Sequence, residues 1–231
     1  MSFAYQIRRS RRRKTVAICV KPDGSVRILV PYILPDKNIA ALVQKKSTWI
    51  KSKIARFQEM QSLQLERHYV SGESLSYLGK TYTLKIAAGT AGDITLAQGS
   101  LHVPLPEETK DEARKQYIRE KLESWYREQA LARLLEQAGR YAEKIGVVPS
   151  SIGIKGYRSR WGSCHSDGRI YFNWRIILAP LFVVDYLVVH ELCHLVHADH
   201  SRNFWRCVEN VLPDYAERRK WLKTHGRWLE I

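Results

Sequence analysis

The stretch His190-Glu-Leu-Cys-His-Leu-Val-His-Ala-Asp-His200 constrains this chain more than any other, because it gathers four of the eight histidines and sets a glutamate directly after the first. On a helix, His190 and His194 project from one face, about 40° apart around the axis and one turn along it. Both imidazoles can then reach one ion at the roughly 2.0–2.1 Å of a zinc–nitrogen bond. Glu191 points about 100° away from His190, which suits a proton acceptor beside the ion better than a ligand. The third ligand is a choice between His197 and His200. His197 lies about 10.5 Å along a straight helix from His190, which strains a single tetrahedral site. His200 lies past the expected helix end and can fold back, so it is the expected ligand. Its spacing equals that of the metzincins, but the only methionines, Met1 and Met60, precede the motif and exclude a Met-turn after it.

The surrounding pattern supplies the helix. After Pro180, Leu181, Val184, Leu187, Val188, Leu192 and Leu195 recur as an apolar stripe. Upstream, Ser151–Tyr157 and Arg169–Trp174 read as two strands with a turn-rich loop, Arg158–Gly168, at one end. Arg169–Trp174 is expected to be an edge able to receive an extended peptide. A long helix is expected from a capping box at Thr109–Glu112 to a stop at Gly146 and Pro149, with Gly139 a candidate bend. Ser201 and Asp214 should start two further helices, the first ended by Pro213.

The N-terminal part differs in charge. Residues 1–68 carry 15 Lys+Arg against Asp23, Asp36, Glu59 and Glu66, or +11 of the total +15. It reads as a hairpin, 15–20 and 26–31, around Lys21-Pro-Asp-Gly-Ser25, then a basic helix from Asp36 containing Ile39, Leu42, Val43, Trp49, Ile50, Ile54 and Phe57. Three short strands, 80–86, 93–97 and 100–104, suggest a small antiparallel sheet. The expected division is 1–104, a basic N-terminal region, and 105–231, a metal-dependent hydrolase domain of α+β class. The cluster Arg8, Arg9, Arg11, Arg12, Arg13 and Lys14 is either a solvated edge or a set of candidate nucleic-acid contacts.

Cys19, Cys164, Cys193 and Cys207 are scattered without a Cys-x-x-Cys pair, so neither a disulfide framework nor a cysteine zinc ribbon is expected. With no apolar run of signal-peptide or membrane-span length, a cytoplasmic location is expected and no membrane partner. The sequence leaves the oligomeric state open.

Ser159-Arg-Trp-Gly-Ser-Cys164, Ile170-Tyr-Phe-Asn-Trp-Arg175, Ala179-Pro180, Asp185-Tyr186, Val188-Val-His-Glu-Leu-Cys-His-Leu195 and His200-Ser-Arg-Asn-Phe-Trp205 together resemble the YgjP-like family of zinc metallopeptidases. That family is similar to the SprT-like and WLM peptidases. The resemblance implies a minimal zincin-like fold, His190, His194 and His200 as zinc ligands, Glu191 as general base and a polypeptide substrate. Imidazole ligands also suit other divalent transition metals. Tyr186, Tyr157, Arg160 and Asn173 are candidate oxyanion or substrate contacts, and Asp185 and Asp199 candidate partners of an imidazole N–H. The expected function is peptide-bond hydrolysis by a metal-activated water with Glu191 as base. The alternatives are a nucleic-acid-associated or scaffold protein with a structural metal site, or a peptidase acting on nucleic-acid-bound proteins.

Overall fold

A computed structural model describes residues 3–21, 23–63, 67–107, 109 and 111–231, without the side chains of residues 56–63, 111 and 112. The chain forms two compact units, Met1–Arg67 and His68–Ile231. The strands between 74 and 105 therefore share a unit with the metal-motif helix, whereas the expected boundary after residue 104 groups them with the basic N-terminal region; the change in charge after residue 68 falls at the observed division. A capping box at 109–112 falls on Lys110 and side chains outside the described residues.

In the first unit, β2 (Ala17–Val20) and β3 (Val26–Pro31) form the expected antiparallel hairpin. The Asp23 carboxylate accepts from the Ser25 N–H and Gly24 takes φ +77°, which closes the turn. β1 (Tyr5–Ser10), carrying Arg8 and Arg9, adds in parallel to the other side of β3. Strand alternation buries Val26, Ile28 and Val30 on one face. They meet Ile39 and Val43 of α1 (Asp36–Lys45) and Ile50 of α2 (Ser47–Leu63). The single helix expected from Asp36 is thus interrupted at Lys46, and Trp49 points outward, 45% exposed. Phe57 lies among the undescribed side chains.

The second unit opens with a sheet of order β4-β5-β7-β6: β4 (Ser74–Tyr77), β5 (Lys80–Ala88), β6 (Thr95–Ala97) and β7 (Ser100–Leu105). It is mixed and four-stranded, not the antiparallel three strands expected. Two tight turns, Leu78-Gly79 and Gln98-Gly99, hold both residues at positive φ, the geometry of two-residue hairpins. The second hairpin delivers β7 beside β5 only after the crossover through β6, so β5 and β7 run parallel. Leu75, Leu84, Leu101 and Val103 of this sheet share the core with α3 (Asp111–Ile145).

α3 runs 35 residues, about 52 Å at 1.5 Å per residue, and is unbroken at Gly139. Ile118, Leu122, Tyr126, Ala130, Leu134 and Ala138 form its buried stripe, while Leu135 is 47% exposed. Gly146 at φ +77° and the Val147 N–H bonded to the Ala142 carbonyl terminate it.

Next come β8 (Ser151–Lys155), β9 (Gly162–Cys164) and β10 (Arg169–Asn173), in the order β8-β10-β9. The expected loop thus contributes a strand of its own, and β10, expected at an edge, is central. A 3₁₀ turn at Trp174–Leu178 leads to α4 (Leu181–Cys193), whose buried surface wraps nearly all round: Val183, Tyr186, Val189 and Cys193 are enclosed as well as the expected stripe. Leu181, by contrast, is exposed. α5 (Arg202–Val211) and α6 (Tyr215–His225) cover it. Among the described residues no helix is long and apolar enough to cross a membrane.

Candidate metal centre

α4 ends at Cys193, and His194 keeps helical dihedrals as its C-cap. The chain then turns back: the Val196 and His197 N–H groups both bond the Cys193 carbonyl. The Asp199 carboxylate accepts from the Ser201 N–H, and the Ser201 hydroxyl accepts from the Phe204 N–H to cap α5. His200 is thereby fixed between two helix ends and brought over the first turn of the motif.

The result is a triad. His190, His194 and His200 each offer one ring nitrogen, and these atoms all lie within 4.8 Å of one another, so the group could hold a metal ion. His190 Nε2 and His200 Nε2 are 3.2 Å apart. Two nitrogens bound at about 2.05 Å with a tetrahedral angle would be about 3.3 Å apart, so the observed spacing fits ligands of one ion. His194 Nδ1 lies 3.0 Å from the His197 carbonyl, which can only accept. Nδ1 therefore carries the proton and Nε2 keeps its lone pair for an ion. His197 thus serves through its backbone, a role its residue type did not disclose.

Aromatic rings wall the triad. Phe204 lies 4.5–5.0 Å from all three imidazoles, and Trp205 stacks on His200 at 5.6 Å. Burial behind these rings pushes the His190 pKa down to about 3 and lowers that of His194, and the neighbouring imidazoles add to the effect. Neutral imidazole is the ligand form.

Glu191 is 4% exposed yet lines an open cleft of about 400 Å³ with the three histidines, Arg160 and the segment Gly162–Ser166. It packs against β9 so closely that a Cβ on residue 162 would sit 2.6 Å from its Cδ and 2.8 Å from its Cγ. Gly162 is therefore needed for the carboxylate to sit where it does; the Gly within Arg-Trp-Gly-Ser-Cys was visible in the sequence, its partner was not. Burial raises the Glu191 pKa to about 8, and the Arg160 guanidinium opposes that rise. A cation in the triad would oppose it further.

Among the described residues β9 pairs with β10 alone, leaving its other edge without a strand partner. The Tyr157 hydroxyl meets Ser163 Oγ at 2.8 Å, and Arg160 sits over the Tyr157 ring. Asn173 is buried and donates through Nδ2 to the carbonyls of Tyr157 and Arg160, bracing the loop from below. Tyr186 is buried beside His190 outside the cleft lining, its phenol pushed up to about 12 by desolvation. Asp185 lies 3.9 Å from Arg218 and Asp199 caps a turn, so the imidazole partner found is the His197 carbonyl. Cys164 lines the cleft and burial raises its thiol pKa.

In the first unit Arg9 donates to the carbonyls of Tyr32 and Leu34 and pairs with Asp36, a folding role. Arg8 and Arg12 are exposed. Arg11 lies over the Tyr32 ring, and Arg11, Arg13 and Lys14 line a recess of about 770 Å³ with exposed Tyr32 and Ile33.

These features define a mixed α+β protein with a three-histidine site suited to a metal ion. The family is more specific: the model of the YgjP-like family, described as a metallopeptidase domain, matches residues 14–225, and the chain belongs to that family. Neither the curated proteins nor the solved structures gave a match.

Proposed function

We propose that this protein is a metal-dependent peptidase of minimal zincin-like type, its catalytic machinery lying within residues 105–231. The observation that carries the reading is Glu191, a buried carboxylate held on the floor of an open cleft beside the triad. A carboxylate is retained in such a place at a solvation cost that a structural metal site does not require. His190, His194 and His200 would hold the ion, with zinc the expected metal from an all-imidazole set. Three protein ligands leave room for one more group. A divalent cation there supplies a Lewis acid that polarises a carbonyl and favours ionisation of water.

The chain's own residues do the rest. Glu191 Oε takes the proton from the attacking water and returns it to the leaving amine, so the carboxylate is regenerated. The free edge of β9 would receive an extended polypeptide by backbone hydrogen bonds, placing a scissile carbonyl over the triad. Arg160, and Tyr157 through Ser163, are the side chains best placed to contact that substrate or its oxyanion. Asn173 and Tyr186 act instead as a brace and as packing.

The test is metal analysis of the purified protein with a peptide-cleavage screen, beside Glu191→Gln. That variant should keep its metal and lose at least about 100-fold in turnover. Unchanged turnover would refute the reading.

A second reading concerns the first unit, where cations, Tyr32 and Ile33 share one recess. Arg8, Arg11, Arg12, Arg13 and Lys14 would contact nucleic-acid phosphates, making the substrate a nucleic-acid-bound protein. Replacing Arg11, Arg13 and Lys14 by alanine should lower the log–log salt slope of single-strand binding by about 2. DNA binding with no proteolysis across a broad peptide library would favour a scaffold over a peptidase.

A further inference from the structure

Cys193 and Cys207 are 14 residues apart in sequence, and their sulfurs lie 3.0 Å apart in the fold. Cys193 is the last residue of α4 and fully buried, whereas Cys207, on α5, is partly exposed. Both helices are firmly placed: α4 is enclosed on nearly every side, and α5 is capped by Ser201 and anchored by buried Phe204 and Val208. A cysteine acting only as a small buried apolar group needs no second thiol facing it. A disulfide needs its sulfurs at about 2.05 Å, so the gap to be closed is about 1 Å.

We propose that Cys193 and Cys207 are a dithiol that oxidises to an intramolecular disulfide, with a low-molecular-weight disulfide of the glutathione class as the oxidant. Cys207, the accessible member, attacks the oxidant disulfide; one sulfur–sulfur bond breaks, a mixed disulfide forms, and one low-molecular-weight thiol leaves with the proton that Cys207 gave up. Cys193 then attacks the Cys207 sulfur and expels the second thiol, to which its own proton passes. Two protein thiols are oxidised and one disulfide is reduced to two thiols. The new bond encloses residues 194–206, which contain His194, the His197 carbonyl and His200. Oxidation would therefore tie the helix carrying His190 to α5 and close a loop around the segment carrying the other two imidazoles, a staple that exists whether or not the centre hydrolyses anything.

The experiment uses the full chain, metal-free and zinc-loaded in parallel, incubated with oxidised glutathione, then unfolded, alkylated and mapped by mass spectrometry. The expected result is a monomer about 2 Da lighter, with alkylatable thiols falling from four to two, a Cys193–Cys207 linkage, and reversal by a dithiol reductant. Cys207→Ser should abolish the mass loss, while Cys164→Ser should leave it intact. A glutathione adduct persisting on Cys207 with Cys193 still alkylatable would overturn the proposal, as would reaction confined to Cys19 or Cys164, or no reaction. Activity is not the readout, so failure here and failure of the peptidase reading are distinguishable.

Discussion

Gly162→Ala tests how the proposed base is seated. The added Cβ would lie 2.6 Å from the Glu191 Cδ and 2.8 Å from its Cγ, where ordinary carbon contacts begin near about 3.5 Å. Either the carboxylate or β9 must yield by about 0.7–0.9 Å. β9 is held by its register with β10, by the Asn173 N–H to Trp161 carbonyl bond of 2.6 Å and by the Asn173 side chain, so the movement falls mainly on Glu191. A displacement approaching 1 Å of a reacting group costs on the order of 100-fold in rate. Overpacking should also cost about 1–3 kcal/mol of stability. The three histidines proposed to hold the ion are untouched, so metal content should stay at the wild-type level. The assay is steady-state cleavage of the best peptide from the screen, with metal stoichiometry and thermal melting measured on the same preparation. Turnover within about threefold of wild type at full metal content would refute both the seating and the role given to Glu191.

Three further outcomes follow from the same geometry. His200→Ala should sharply weaken zinc binding and remove the rise in melting temperature that zinc gives, whereas His197→Ala should keep both, because residue 197 contributes a carbonyl. Asn173→Ala removes two donated bonds and the acceptor of the Arg175 N–H from a buried position, and should destabilise by about 2–3 kcal/mol in denaturant unfolding. In the metal-free protein Glu191, with its pKa raised from 4.5 to about 8, binds more proton folded than unfolded, so its contribution is present below pH 4.5 and lost as pH rises through 8. Metal-free Glu191→Gln should therefore melt higher than metal-free wild type at pH 8, and the advantage should vanish near pH 4.5. His190, lowered from 6.5 to about 3, acts oppositely, so both proteins should weaken as pH falls from 6.5 toward 3.

Helical spacing and breakers determined much of this protein in advance. The His190–His194 pair, the helix it rides on, the Gly146 stop and the Ser201 cap are local, set by 3.6-residue geometry and by turn and cap chemistry acting over a few residues. His200 was legible too, because a short, polar connection can return only a short way. Pairings between distant segments were not. That β10 is central, that β9 lies along its free side and that β5 and β7 run parallel depend on which segments meet, and hydrophobic alternation is the same for a strand at an edge or in the middle. The same limit hid the Gly162 seat under Glu191 and the approach of Cys207 to Cys193, while the His197 carbonyl reaches His194 through the turn that follows α4. In each, the residue was legible in the sequence and its partner was not. The three histidines of the candidate site were legible in the sequence; the cleft beside them exists only once β9 is packed against α4.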